Sequence, residues 1–409
     1  MATNLTVDLL DTVLRELYPN GDALTELAYS KKQRPLLSMV KKGQFDGDSQ
    51  RVPTVVTDSQ GLGATFATAQ TNTYPVNITT FTVTPVNLYN VARVTGNAIR
   101  QSRNKRGALV AAIELAMKSG VNGLSNDIET KLYRTKGGAL ATIASTSSAT
   151  VMTLTTLRDV NNFSLNMEIV FAAGETSSLR TGTASALTVT GIDRTAGTLV
   201  TDTNTNIGSL TAGDSIFREG DYVSASDGLN PCGLSSWCPA SAPAATAFWG
   251  VDRSTDSKLG GCRYTGTSVS VEEAIVNGAS LCAEIGSGNA TINTCLISHA
   301  DFRTLIAELG SKVQRDTTEK TAAGYSAITI HGPQGPIDVI PGPKCPAGHV
   351  FVLDDSKFEL LSCGDVVAIL DEDGNTWRAM ATTDVYEVRL GFLGNFVCYD
   401  TSAICHITV

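Results

Sequence analysis

Between Ser102 and Arg134 the apolar residues Leu109, Ile113, Met117, Val121, Leu124, Ile128 and Leu132 recur at steps of three or four. That spacing draws one apolar stripe along an α-helix. At 1.5 Å per residue such a helix is ~45 Å long. Glu114 lies four residues before Lys118, and Asp127 four before Lys131, so charged pairs are expected on the wet face. Gly120 and Gly123 each weaken the middle by ~1 kcal/mol relative to Ala, so packing has to hold this helix. With a single apolar face, it is expected to lie like a beam across a sheet.

Other stretches carry weaker periodicities. Val7–Tyr18 places Leu9, Leu10, Val13, Leu14 and Leu17 on one side and is stopped by Pro19, Asn20 and Gly21. A helix this short is not stable alone in water and must dock. Two arms around Arg51–Thr57 and Thr79–Val94 flank a middle rich in Gly, Ala, Thr and Asn. Their alternation predicts a long β-hairpin. It holds too few large apolar residues for its own core, so it must project onto a neighbouring surface or subunit. From Thr150 to Tyr222 the texture becomes short β runs separated by Gly, Asp, Asn and Ser, with no Cys, His or Lys. This predicts a small barrel or sandwich. Ser224–Gly261 is a long, irregular, Pro/Ser/Ala-rich connection, of the kind that is functional or spread over a surface.

An α/β region begins near Thr267. Ser270 with Glu273 forms a capping box for a helix through Ile285. The strand TCLIS follows, and then Ser298 caps a helix whose stripe is Phe302, Leu305, Ile306 and Leu309, ending at Gly310. The strands AITIHG, PIDVIPG, HVFVLD, FELLS and VVAILDEDG come next, then the long EVRLGFLGNFVCYD and the closing ICHITV.

A chain of 409 residues fits two or three domains. Its net charge of −9 lacks the basic excess of proteins that grip nucleic acid. The local cluster Lys31, Lys32, Arg34, Lys41 and Lys42 reads as a solvated arm. No apolar run is long enough to span a bilayer, and the N-terminus lacks the pattern of a secretory signal. The nine cysteines all lie at or after Cys232, and free thiols are expected.

The search for chemistry finds no complete site. His299, His331, His349 and His406 show neither HExxH nor paired metal-ligand spacing. Cys345 and His349 make half of a zinc site without a second half. Cys232 and Cys238 flank a loop that either closes as a disulfide, holds a metal or keeps two protected thiols. Gly286–Asn289 and Gly61–Gly63 lack the context of a phosphate loop. Asp371, Glu372 and Asp373 read as a hairpin turn, and Cys398 with a distant His is a weak nucleophile pair. The expectation is therefore no cofactor, no metal and no enzyme.

The order of the parts resembles that of tailed-phage major capsid proteins, a shell fold shared with encapsulins. RPLLSMV, FDG and VP (Arg34–Val40, Phe45–Gly47, Val52–Pro53) look like the start of that family's extended loop, and QGLGATFATAQ (Gln60–Gln70) like its tip. Phe81–Ser102 resembles the return strand, and Gly107–Arg134 the spine helix. Phe248–Ser254, Gly324–Asp354 and Asp373–Cys398 resemble the re-entry to the main sheet, the axial strand pair and the return to the peripheral domain.

The resemblance implies an α+β fold. Its parts would be an N-terminal arm (1–43), an extended loop (44–94) and the spine helix with the start of the peripheral domain (95–149). An inserted all-β domain (150–223), a return to the peripheral domain (224–265), an axial α/β domain (266–380) and closing strands (381–409) would follow. It also implies a virion capsid subunit, assembled in the host cytoplasm as hexamers and pentamers around viral double-stranded DNA bound without sequence specificity. Scaffolding, portal and decoration proteins would be its partners, and no membrane. Leu9, Leu10, Leu14, Arg51, Phe66, Gln70, Tyr74 and Phe81 are the expected inter-subunit residues.

Some relatives join a loop Lys to a neighbour's Asn. Here no Lys lies between Lys42 and Lys105, so no such cross-link is expected. The arm begins almost at once, so a scaffold would be a separate protein. The extra β block is expected to project outward or to brace neighbours. The competing readings are an encapsulin-like compartment, a β-rich adhesion or tail protein, and a cysteine- or zinc-dependent hydrolase that lacks a full ligand set.

Overall fold

A computed structural model describes residues 33–97, 106–146, 150–175, 177–180, 186–202, 210–222, 229–286, 291–309, 328–371 and 374–409. The order begins with helix α1 (Pro35–Met39), strands β1 (Lys41–Gln44) and β2 (Gln50–Thr57), helix α2 (Phe66–Thr71), strands β3 (Asn77–Val83) and β4 (Val86–Thr95), and the long helix α3 (Arg106–Tyr133). Strands β5 (Ala141–Thr146), β6 (Val151–Leu154), β7 (Glu168–Ala172), β8 (Leu187–Asp193), β9 (Thr198–Thr201) and β10 (Ser215–Arg218) follow. Helix α4 (Leu234–Trp237) and the short β11 (Ala247–Phe248) and β12 (Val251–Asp252) come next.

The last part runs β13 (Cys262–Thr265), α5 (Val271–Ile285), β14 (Thr294–Ser298), α6 (His299–Leu309), β15 (Ile328–Gly332), β16 (Gly335–Gly342) and β17 (His349–Leu353). It ends with β18 (Phe358–Ser362), β19 (Ala368–Ile369), β20 (Arg378–Ala379), β21 (Val385–Cys398) and β22 (Ile404–Thr408).

Helix α3 does lie on a sheet. Strand β21 pairs antiparallel with β4 from Val385↔Thr95 to Gly394↔Val86; β18 pairs with its Gly394–Cys398 end, and β19 and β20 pair with Leu390–Gly391 and Tyr386–Glu387. Met117, Val121, Leu124, Ile128 and Leu132 of the helix stripe are all buried. The side chains of Leu109, Ile113 and Glu114 lie outside the described residues. Gly120 and Gly123 are the contact points. A Cβ on Gly120 would stand 2.9 Å from Leu390 and 3.2 Å from Ala92, and one on Gly123 would stand 2.9 Å from Asn90 Nδ2. Asn90 Nδ2 donates to the Gly120 carbonyl at 2.7 Å. The residues that weaken the isolated helix thus let it approach the strand.

The wet-face expectation fails at one pair. Asp127 and Lys131 are both buried, because the last turns of α3, residues 127–133, are covered on all sides. The stripe is apolar on one face, but the barrel covers the polar one.

That barrel closes through six strands in the order β10-β5-β6-β9-β8-β7. Inward residues alternate along β6 and β9, as closure requires. Ile143, Met152, Phe163, Ile169, Phe171, Val189, Leu199 and Ile216 fill a core separate from the main one. The barrel begins at β5, ahead of the expected boundary at residue 150, because β5 pairs with both β6 and β10.

A second six-stranded sheet, in the order β13-β22-β17-β14-β16-β15, carries α5 and α6. Ser270 Oγ accepts the Glu273 N–H at the start of α5, and Ser298 Oγ accepts the Asp301 N–H at the start of α6. Phe302, Leu305 and Leu309 are buried, whereas Ile306 faces outward. The domain boundaries differ from expectation here as well. Strands β18, β19 and β20 belong to the first sheet, β13 belongs to the second, and the closing strands are split between the two. Periodicity finds strands, but pairing across long separations assigns them to sheets.

Candidate assembly surface

Strands β2 and β3 form an antiparallel ribbon from Gln50↔Val83 to Thr57↔Asn77, with a register shift between Val55 and Thr57. Its root is clamped. Val52, Phe81 and Val83 are fully buried. Phe81 meets Trp237 edge-on at 5.5 Å, and Trp237 meets Phe248 at 5.3 Å. Trp237 Nε1 donates to the Phe396 carbonyl at 3.0 Å, and the Thr82 N–H donates to the Trp249 carbonyl at 3.0 Å. Arg253 lies over the Phe248 ring at 3.8 Å while donating to the Ser236 carbonyl at 2.7 Å. Two faces of the ribbon root are thereby fixed to the body.

The tip differs. Thr65 Oγ1 caps α2, and Asn72 Nδ2 donates to the Leu62 carbonyl at 2.9 Å, so the tip is a folded cap on the ribbon. No residue of α2 is buried. Leu62 and Phe66 are each 79% exposed and Tyr74 69%, with Val55, Val76 and Ile78 exposed beside them. Between Arg51 and Arg93 the only charged side chain is Asp58. The ribbon and its tip thus carry six exposed large apolar side chains beside a single charged one between Arg51 and Arg93.

A second apolar patch lies on the sheet face opposite α3, where Tyr89, Val91 and Leu393 are exposed.

Of the expected contact residues, Arg51, Phe66, Gln70 and Tyr74 are exposed on the ribbon and tip. Phe81 is corrected: it is buried within its own chain, because the aromatic clamp needs it at the root. Leu9, Leu10 and Leu14, with the helix expected over Val7–Tyr18, lie outside the described residues. The sequence reading missed Leu62, Val76, Ile78, Tyr89, Val91 and Leu393. Period-two alternation on β3 and β4 carried a signal for Ile78, Tyr89 and Val91, but could not say which face is covered.

The chain leading into this region is anchored to α3. Arg34, expected in a solvated arm, is fully buried. Its Nε donates to Asn126 Oδ1 at 2.9 Å and its Nη2 to Asn122 Oδ1 at 2.9 Å. Helix α1 has no side-chain cap of its own. Glu129 supplies one from α3, accepting the Leu36 N–H at 3.1 Å and the Leu37 N–H at 2.7 Å. Burial pushes the Glu129 carboxyl up to about 7 against the pull of those two N–H groups and Arg34.

The barrel is fixed to the same helix by charge. Lys131 Nζ lies 2.9 Å from Asp127 and 3.0 Å from Asp221, and Arg218 lies 2.7 Å from Asp127. Burial alone would raise the Asp127 carboxyl, but Lys131 and Arg218 hold it below its ordinary range. Arg134 pairs with Asp159 at 2.5 Å, and Lys344 Nζ donates to the Asn161 carbonyl at 3.2 Å.

The candidate chemical groups do not assemble into a site. Cys345 Sγ faces the His349 carbonyl at 3.5 Å, away from any ligand set. His349 Nδ1 lies 2.9 Å from His406 Nε2, and His406 Nδ1 lies 2.9 Å from the Cys238 carbonyl. His406 must therefore donate from Nδ1 and accept at Nε2. Burial, with His349 beside it, pushes His406 down to about 4. Cys232 and Cys238 are free thiols, the first accepting from Trp249 Nε1 at 3.2 Å. Among the described residues no group of three or more His, Cys, Asp and Glu side chains is placed to hold a metal ion. No described helix is long and apolar enough to cross a membrane.

No family model matches the chain, and no curated protein matches it in sequence. Solved structures do match. The chain is similar to that of the cyanophage A-1(L) capsid asymmetric unit, with a TM-score of 0.53, 14% identity and 92% of each chain covered. A native GTA particle capsid matches at a TM-score of 0.47 and 11% identity, over 93% of this chain and 90% of the other. The virus-like particle from Pyrococcus furiosus matches at 0.39 and 10%, over 94% and 96%. The first of these carries the fold assignment: the chain has the phage capsid shell fold.

Proposed function

We propose that this chain, which has the capsid shell fold, is a structural subunit that assembles with copies of itself into a closed shell. The observation that supports this best is the clamped ribbon with an exposed apolar tip that carries a single charge. The clamp at Phe81, Trp237 and Phe248 fixes the root of the ribbon, while no residue of the tip helix α2 is buried among the described residues. Apolar area left in water at Leu62, Phe66 and Tyr74 costs ~25 cal/mol per Å², which a neighbouring copy would recover.

In this reading the subunits form hexamers and pentamers of an icosahedral head around double-stranded DNA. The exposed Phe66, Gln70, Tyr74 and Arg51 lap over a neighbour, and the N-terminal Leu9, Leu10 and Leu14 dock on another. A net charge of −9 suits a container that must not adhere to its contents. In this reading the barrel, with a core of its own, projects from the shell or braces adjacent capsomers. Scaffolding, portal and decoration proteins would complete the particle, with no covalent cross-link through the Lys-free ribbon.

The test is recombinant expression followed by cryo-electron microscopy and sedimentation. Closed shells built of hexamers and pentamers are expected, dissociating to single chains of unaltered mass in denaturant. A chain that stays monomeric across concentration, salt and crowding conditions, with the 57–77 tip fully protease-resistant, would sink the shell reading.

A further inference from the structure

We propose that the seam between the barrel and the second sheet is a docking site for an acidic peptide segment of a partner protein. This goes beyond the shell reading and does not depend on it.

The seam gathers cations that no carboxylate answers. Between β6 and β7, Leu157–Asn162 forms a short 3₁₀ helix. Side chains three apart eclipse in such a helix, so Arg158 and Asn161, both exposed, share one face. Asn161 Oδ1 accepts from Arg194 Nη1 at 2.9 Å, and the Asn161 carbonyl accepts from Lys344 Nζ at 3.2 Å. Asn162 Oδ1 holds the same ammonium at 3.3 Å. Arg194 comes from the turn between β8 and β9, and Lys344 from the loop between β16 and β17. Barrel and second sheet thus each bring a cation to one asparagine. Among the described residues none of Arg158, Arg194 and Lys344 forms an ion pair. The neighbouring carboxylates are engaged elsewhere: Asp193 accepts from the Thr195 and Ala196 N–H groups, and Asp159 faces Arg134. Burial first, and then Arg134 and Arg194, hold the Lys344 ammonium below its ordinary value. In a chain of net charge −9, cations crowded in this way leave the seam short of a negative group.

A cavity of about 270 Å³ beside the cations has room for that group. Arg134, Thr142, Thr156, Ser215 and His349 line it, with Asp159 from the same turn as Arg158. Arg134 Nε is buried and donates to no acceptor among the described residues. Glu175, also in the wall, accepts from the Thr135 hydroxyl and the Ala139 N–H, and burial pushes its carboxyl toward the neutral form. A carboxylate from outside would meet Arg134 Nε and the hydroxyls, inside a rim of Arg158, Arg194 and Lys344. The surroundings favour a peptide over a nucleic acid. Leu157 opens the turn and Leu165 lies three residues past it, and both are exposed. Apolar side chains of a peptide would cover these leucines, whereas a sugar–phosphate backbone gains nothing from them. Three rim cations are also too few to form a phosphate track.

The full chain is titrated into a short fluorescein-labelled peptide of glutamate and leucine at low salt, and binding is read by fluorescence anisotropy. Saturable binding that weakens as salt rises is expected. Arg194→Glu and Lys344→Glu should each weaken it by about tenfold or more, because a like charge then faces the peptide. Arg303→Glu makes the same charge change at an exposed site on α6 and should leave binding unaltered. Thermal melting checks that each variant is folded, and Arg158→Glu, on the exposed face of the turn, replaces any that is not. Absence of peptide binding would overturn the proposal. So would equal weakening by Arg303→Glu, or binding of a short oligothymidylate in preference to the peptide.

Discussion

Lys131→Met separates two accounts of the long helix. If Asp127 and Lys131 formed an exposed pair four residues apart, the substitution would cost ~0.4 kcal/mol. The structure instead buries Lys131 between Asp127 at 2.9 Å and Asp221 at 3.0 Å. Methionine keeps the stem packed but removes the ammonium. Arg218 then remains within 4.0 Å of both carboxylates. Breaking a buried pair by removing one partner costs ~3–5 kcal/mol, since an uncompensated charge stays inside. Arg218 still serves Asp127 at 2.7 Å, so the lower end, about 3 kcal/mol, is expected.

The assay is urea unfolding of unassembled subunits followed by near-ultraviolet circular dichroism and calorimetry, because a chain with several cores need not unfold in one step. Ser119→Ala, at an exposed site on the same helix, is the control and should stay within about 0.5 kcal/mol. A Lys131→Met cost as small as the control would refute the argument that charge at this joint holds the barrel to the helix.

Three further outcomes follow from the packing of the ribbon and the long helix. Phe81→Ala should cost ~3–5 kcal/mol in stability, whereas Phe66→Ala should leave subunit stability within ~0.5 kcal/mol and reduce particle yield, both read by melting and sedimentation. Gly120→Ala gains ~1 kcal/mol in helix propensity, yet the added carbon 2.9 Å from Leu390 should make it destabilising in chemical unfolding.

The pH dependence should show two opposed contributions. His406, lowered from 6.5 to about 4, contributes stability present above pH 6.5 and lost as pH falls toward 4, at most about 3 kcal/mol, and His406→Gln should remove that acid loss. Glu129, raised from 4.5 to about 7, contributes stability that is full below pH 4.5 and lost as pH rises toward 7, and Glu129→Gln should flatten that limb.

The sequence by itself determined the local elements. Spacing of three and four set α3, Ser270 with Glu273 set the start of α5, and alternation set the ribbon, because each signal acts within a few residues of chain. It also determined that the ribbon lacks a core of its own, since residues 52–92 hold few large apolar side chains and one charge.

Tertiary structure decided the rest. Only the fold could bring Asp221 and Arg218 to Lys131, or set Trp237 and Phe248 against Phe81, and so move a presumed wet pair and a presumed contact residue indoors. Only strand pairing could send β21 to one sheet and β22 to the other. Burial depends on what covers a side chain from a distant part of the chain, and no local pattern carries that information.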